Sequence, residues 1–211
     1  MSVIPKLASS LGRRDEVPNQ ELARHIAANA DQKAVEELVY NLSNKKKDIQ
    51  HDCIKVLYEV GEIAPTMIAS YAGQFLSLLQ SKNNRLQWGG MTALHCLVHE
   101  NPVFIYKSLP TIMEAAEKGS VITRDNAVNI LIKLAEIDQY AETAYALIME
   151  QLLSSPVNQL PMYAERVFPL TSNLDKAPFI QVLTERLNDL EKDSQRKRVQ
   201  KVLKKVSKDK S

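Results

Sequence analysis

The sequence predicts an all-α fold, a right-handed α-α superhelix of about five helical hairpins. Three observations predict it. The 211 residues are 45% apolar, yet hold only six glycines and 6% aromatics, a composition poor in turn and strand residues. The chain is self-similar at an offset of 37, the period range of stacked helical repeats. Within each period two separate segments carry apolar residues at helical spacing, and both keep the same offset.

The offset is visible when DIQHDCIKVLYEVG (48–61) is laid above RLQWGGMTALHCLV (85–98) and TRDNAVNILIKLA (from Thr123). Leu57, Leu94 and Leu131 fall in one column, which Phe168 continues; Cys53, Gly90, Ala127 and Ala164 form a second; Ile54, Met91 and Val128 form a third. The intervening segments align equally. Pro65 meets Pro102, Ile68 meets Ile105, and Leu79, Ala116, Leu153 and Leu190 share a column.

The elements follow in order. A leading helix near 19–30 closes the N-terminal end, inside a capping segment 1–31. The repeats occupy 32–190, with first helices near 32–43, 65–80, 102–118, 138–153 and 175–190. Second helices lie near 47–62, 84–99, 121–136 and 158–172, and a last one near 194–206 belongs to the basic C-terminal capping helix and tail, 191–211. Asp48, Asn84 and Ser120 stand at N-cap positions, and Pro65 and Pro102 where a first-turn proline is tolerated. The short polar turns KKK and SKNN suit antiparallel neighbours.

Gly89 and Gly90 sit inside a helix, where glycine costs roughly 0.5–1 kcal/mol relative to alanine. Gly90 belongs to the small Cys–Gly–Ala–Ala column, where close helix crossing excludes larger side chains. Gly89 aligns with Asp52 and Asn126 on the polar side. It is either incidental or a place where something approaches the backbone closely.

Net charge is +2 but uneven: residues 192–211 carry nine Lys and Arg against two Asp, and the remainder is net acidic. A body of that sign argues against a phosphate-binding surface along its whole length. No apolar run reaches the ~18–20 residues of a membrane span. The N-terminal MSVIPKLASSLGRRDEV lacks a continuous apolar signal core, and two cysteines imply no disulfide framework. A cytoplasmic setting is expected.

The segments SYAGQFLSLLQSKNNRLQWGGMTALHCLV (70–98) and KSLPTIMEAAEKGSVITRDNAVNILIKLA (107–135) resemble the HEAT-repeat, armadillo-like class of α-solenoids. Each shows first-helix leucines, a polar turn, then a second helix with a small residue followed by leucine. Pro110 is similar to the proline that often kinks the first helix of such repeats. The Asp and Val-Arg usual at the turn are only partly present, with Asn84 near the Asp and Gln50, Gln87 and Arg124 near the Arg.

The resemblance implies that the second helices line a concave face. Its non-core positions nominate a partner-binding surface: His51, Lys55, Tyr58, Trp88, Thr92, His95, Asp125, Asn129, Lys133, Tyr163 and Arg166. Aromatics mixed with Lys and Arg are typical of protein-recognition hot spots. Trp88, the single tryptophan, is either half-buried filler over the adjacent helix or an anchor on that face.

His95 and His99 share a helix face, but Cys96 stands where a zinc-protease helix needs its glutamate. No metal or cofactor is expected. Cys53 reads as buried and inert, and no catalytic set is nominated. The tail stripe Val199, Val202, Leu203 and Val206 reads as a cap on the last repeat, or as an electrostatic patch for nucleic acid or acidic proteins.

Two functions are expected from different classes. The first is a non-enzymatic scaffold or adaptor holding a protein partner on the concave face. The alternative is nucleic-acid binding of the kind seen in alkylpurine DNA glycosylases built from similar repeats. That reading would use Trp88 and Asp125, with Arg124, Lys133 and Arg166 on phosphates.

Overall fold

The computed structural model describes residues 2–208. Met1 and residues 209–211, the end of the basic tail, lie outside the described residues. Twelve α-helices and several short 3-10 turns, joined by loops, are found among the described residues, with no strand. The chain gathers into two compact units, one up to Ile130 and one from Leu131 onward.

The first unit opens with a 3-10 turn at Ile4–Lys6 and α1 (Val17–Ala28). Two hairpins follow: α2 (Gln32–Tyr40) with α3 (Lys47–Ile63), and α4 (Ala72–Leu78) with α5 (Asn84–Cys96). Then come α6 (Pro102–Lys107), α7 (Leu109–Lys118) and α8 (Val121–Ala135), within which the division between units falls. Helix α3 packs on its own first helix α2 and on α5, the second helix of the next hairpin, and α5 packs on α4. Helix α1 packs on α3 in the same manner and so takes the place of a second helix. The repeat columns are interior: Leu57, Leu94, Cys53, Ile54, Met91 and Ala127 are all fully buried.

Both glycines of α5 are steric necessities. A Cβ on Gly90 would meet the Phe75 carbonyl oxygen at 2.8 Å and Leu78 Cβ at 2.9 Å, so α4 crosses α5 there almost backbone to backbone. A Cβ on Gly89 would meet Ile54 Cγ1 of α3 at 2.5 Å. Gly89 is therefore not incidental: the close approach left open by the sequence comes from the preceding repeat.

The expected first helices are interrupted. Residues 65–80 become two 3-10 turns, Pro65–Met67 and Ala69–Tyr71, ahead of α4. These turns bring the buried Ile68 against Gly61, where a Cβ would lie 2.5 Å from Ile68 Cδ1. The 102–118 segment splits at Ser108 because Pro110 has no N–H to donate and restricts Leu109 before it. Asn101 caps α6, accepting from Phe104 N at 3.4 Å. Two expected caps are displaced. Asn83, not Asn84, caps α5 through Arg85 N at 3.1 Å, and Asp48 lies in the first turn of α3 without capping it. Ser120 accepts from Thr123 N at 3.3 Å as expected.

The partial turn motif forms a working ladder. Gln50 Nε2 donates to Asn44 O at 2.7 Å, Gln87 Nε2 to Leu79 O at 2.9 Å, and Arg124 Nε to Ala116 O at 3.3 Å. Each side chain satisfies a carbonyl left open where a first helix ends.

The second unit contains α9 (Ala141–Ser154), α10 (Leu160–Val167), α11 (Ala177–Arg186) and α12 (Asp193–Lys208). Here α9 packs on α11 and α10 on α12. Leu131, Leu160, Tyr163, Ala164, Val167, Val199 and Val206 are fully buried. The outward lysines of α12, among them Lys197, Lys201 and Lys204, are exposed. The ladder position, one period after Arg124, is Pro161, which has no donor. Arg186 replaces it from α11, donating to the carbonyls of Leu152 and Leu153 at 2.6 Å and of Ser155 at 2.9 Å. Leu190 O, the next in that column, accepts from Arg196 at 2.7 Å.

Candidate partner-binding face

In the first unit, α3 and α5 lie side by side and share a polar-aromatic cluster, with Lys55 and Tyr58 buried, Trp88 half-buried and Arg85 exposed. Spacing of three and four places Lys55, Tyr58 and Glu59 together on α3, and Arg85 and Trp88 together on α5. The Tyr58 and Trp88 ring centroids are 5.8 Å apart at a tilt of 52°, a favourable aromatic arrangement. The Lys55 ammonium sits 5.0 Å from the Tyr58 ring centre, and the Arg85 guanidinium 6.0 Å from that of Trp88. Two cations and two aromatic rings thus alternate across adjacent helices.

A third element completes the cluster. Glu16, just ahead of α1, places its carboxylate 2.8 Å from Lys55 Nζ and 3.4 Å from Arg85. Glu59 reaches the same ammonium at 2.6 Å. Lys55 is only 7% exposed. Burial alone would favour the neutral amine, but hydrogen bonds with Glu16, Glu59 and Tyr58 outweigh it and raise the Lys55 pKa. The Tyr58 phenol is also raised, by burial first, against the opposing influence of Lys55. Neither group is set up to exchange protons near neutrality; the cluster is a fixed array of charge.

The other nominated residues fall in distinct surroundings. His51 is half-buried, its Nε2 2.9 Å from Asn83 Nδ2, and the same amide donates to Gln50 Oε1 at 3.2 Å. Asn83 therefore ties consecutive hairpins together besides capping α5. Thr92 is buried; its hydroxyl donates to Trp88 O at 2.9 Å and accepts from Asn126 at 3.1 Å. His95, Asp125 and Asn129 are half-buried in the first unit. In the second unit Lys133 is half-buried and Arg166 exposed. Tyr163 is a correction: at 0% exposure it is a core residue of α10, with no surface to offer a partner. The periodicity that brought it near the others belongs to the core side of that helix.

Arg85 and Glu16 were not legible as site residues. Arg85 lies one turn before the columns that define the face, and no local pattern pairs Glu16 with a lysine 39 positions away. Trp88 is half-buried, covers α3 through its contact with Tyr58, and carries Arg85 over its ring. Among the described residues, no group of three His, Cys, Asp or Glu side chains is close enough to hold a metal ion. The Cys53 thiol is pushed up to about 12 by burial and by the nearby Asp52 and Glu37 carboxylates. No helix among the described residues is long and apolar enough to cross a membrane.

No family model matches the sequence, and no curated protein sequence is similar to it. Solved structures do resemble the fold. An engineered protein solved by the Northeast Structural Genomics Consortium superposes with a TM-score of 0.61 at 19% identity, covering 98% of this chain and 97% of that one. Computationally designed armadillo repeat proteins for modular peptide recognition give 0.58 at 15% identity, covering 90% of this chain and 92% of theirs. A further designed armadillo repeat protein gives 0.58 at 16% identity, over 96% and 99%. The chain is an all-α helical-repeat protein with an armadillo-like fold.

Proposed function

We propose that this protein is a non-enzymatic scaffold or adaptor that binds a protein segment on the face formed by α3 and α5. The observation that carries this reading is the Lys55–Tyr58–Trp88–Arg85 array: paired aromatic rings with a cation over each, on neighbouring second helices. Its reachable members are the half-buried Trp88, a rigid ring that gives contact area at low entropic cost, and the exposed Arg85, a cation that gives directional bonds; Tyr58 and Lys55, buried while Glu16 is in place, back them. The designed armadillo proteins with a similar fold, described as made for modular peptide recognition, support the same use of such a face. HEAT-type membership, a concave location for the partner and a cytoplasmic setting belong to this proposal.

A photo-crosslinking residue placed at Trp88 in the full chain tests it. The expected result is a discrete protein adduct that Arg85→Glu abolishes. Absence of any protein adduct, together with duplex DNA binding that weakens steeply with salt, would overturn the proposal in favour of nucleic acid.

A further inference from the structure

We propose that Lys55 and Arg85, set against Tyr58 and Trp88, form a subsite for an acidic side chain of the partner peptide, and that the loop 9–16 fills it with Glu16 when no partner is bound. The inference rests on the binding reading above and deepens it.

Four observations carry it. Glu16 occupies the N-cap position of α1 yet makes no capping bond; Asp15 accepts from Val17 N at 3.1 Å instead. Its carboxylate is turned away from its own helix, to Lys55 and Arg85. Secondly, Lys55 is a buried cation held by two carboxylates, of which Glu59 is a fixed neighbour on α3 and Glu16 comes from a loop. A second carboxylate from another chain satisfies the same ammonium by the same chemistry.

Thirdly, little apolar packing holds the loop. Its backbone is tied by turn bonds such as Arg13 N to Ala8 O at 2.9 Å, and the Glu16 side chain can swing out while Glu16 O stays bonded to Gln20 N at 3.0 Å. Residues 10–17 are all exposed, whereas Leu7 and Ala8 before them and Pro18 and Leu22 after them are buried. The chain turns at Gly12, whose φ of +68° suits glycine, and Arg13 is held locally by Asp15 at 2.8 Å. Opening the loop therefore exposes little apolar surface, the condition for a low-energy local opening. Fourthly, the loop does not pack dry onto α3. A polar cavity of about 390 Å³ lies beneath it, bordered by Asp48, His51, Asp52 and Lys55. Its anchors are polar: Ser9 N donates to Asp52 at 2.7 Å and Ala8 N to Asn19 at 3.0 Å.

The test uses the full chain and Trp88, the single tryptophan, whose emission reports on the subsite. Capped pentaglutamate is the probe and capped pentaglutamine the control. Glu16→Gln is expected to bind pentaglutamate at least about tenfold more tightly than the parent chain, pentaglutamine to leave the emission unchanged, and added Arg85→Ala to abolish the response. Glu16→Asp, which keeps the charge and shortens the reach, is expected to fall between. Equal affinity of parent and Glu16→Gln chains, an equal response to both peptides, or no response to pentaglutamate would overturn the subsite. If crosslinking at Trp88 still yields a protein adduct in that event, the acidic subsite falls and the binding face stands.

Discussion

Gly89 shows how one missing methyl group sets a helix-to-helix distance. Helix propensity alone would favour alanine there by up to about 1 kcal/mol, but the added Cβ would strike Ile54. Gly89→Ala is expected to destabilise the chain by about 1–3 kcal/mol in urea unfolding, as overpacking does. Ile54→Ala, which removes the obstructing atoms, should cost less in the Gly89→Ala background than alone; a double-mutant cycle with no coupling would contradict this. The cysteines give a second residue-scale expectation. With its thiol raised to about 12 and fully buried, Cys53 should resist a thiol reagent at pH 8 until the chain unfolds, so native labelling stops at one thiol, Cys96. Labelling of both thiols in the folded protein would refute it. At this scale Lys55, Tyr58 and Trp88 were readable as neighbours because a constant offset carries one helix's face onto the next. Glu16 was not, since its partner is chosen by how a loop folds back.

At the scale of elements, the second helices α3, α5 and α8 follow the sequence closely because each carries one uninterrupted apolar stripe, whereas the one expected over 158–172 is α-helical only over Leu160–Val167 and ends in a 3-10 turn, Phe168–Ser172, that holds Pro169. The first helices do not follow it closely, because short-range spacing cannot distinguish an α-turn from a 3-10 turn whose register is decided by a contact such as Ile68 on Gly61. The open carbonyls at first-helix ends are where side chains intervene. Gln87→Ala should cost about 1 kcal/mol. Arg186→Ala strips three charge-assisted bonds from the end of α9 and should cost about 2–4 kcal/mol by thermal or urea melts. Arg186→Lys should recover less than half, because an ammonium cannot reproduce the planar fork. The Arg198–Glu165 pair joins α12 to α10 at 2.6 Å. Its hydrogen bond from Arg198 holds the Glu165 pKa below its usual value. A depressed carboxylate stabilises the fold above its unfolded pKa and loses that contribution as pH falls through the folded value. The melting-temperature gap between the parent chain and Glu165→Gln should therefore be present at pH 7 and close in acid; a gap unchanged at pH 3 would rule out the ion pair as its source.

For the whole molecule, a stack of hairpins distributes stability over nearest neighbours rather than one central core. Tyr163→Ala, which empties a fully buried site in α10, should strip amide-exchange protection from α10 and α12 far more than from α3 and α5. Uniform loss across all helices would instead indicate a single cooperative block. The architecture was readable because a period of 37 must be satisfied by every unit at once. The partner was not, because outward positions obey no such rule, and folds of this kind serve many surfaces.

The proline at position 161 bears on where the chain can be shortened. A fragment stopping near Ser172 would retain all of α9 and α10, yet it would leave behind the guanidinium that closes α9. Three carbonyls at that helix's end would then face solvent or, worse, each other. Any C-terminal boundary that keeps α9 closed has to lie beyond Arg186, even though the carbonyls it protects were laid down more than thirty positions earlier.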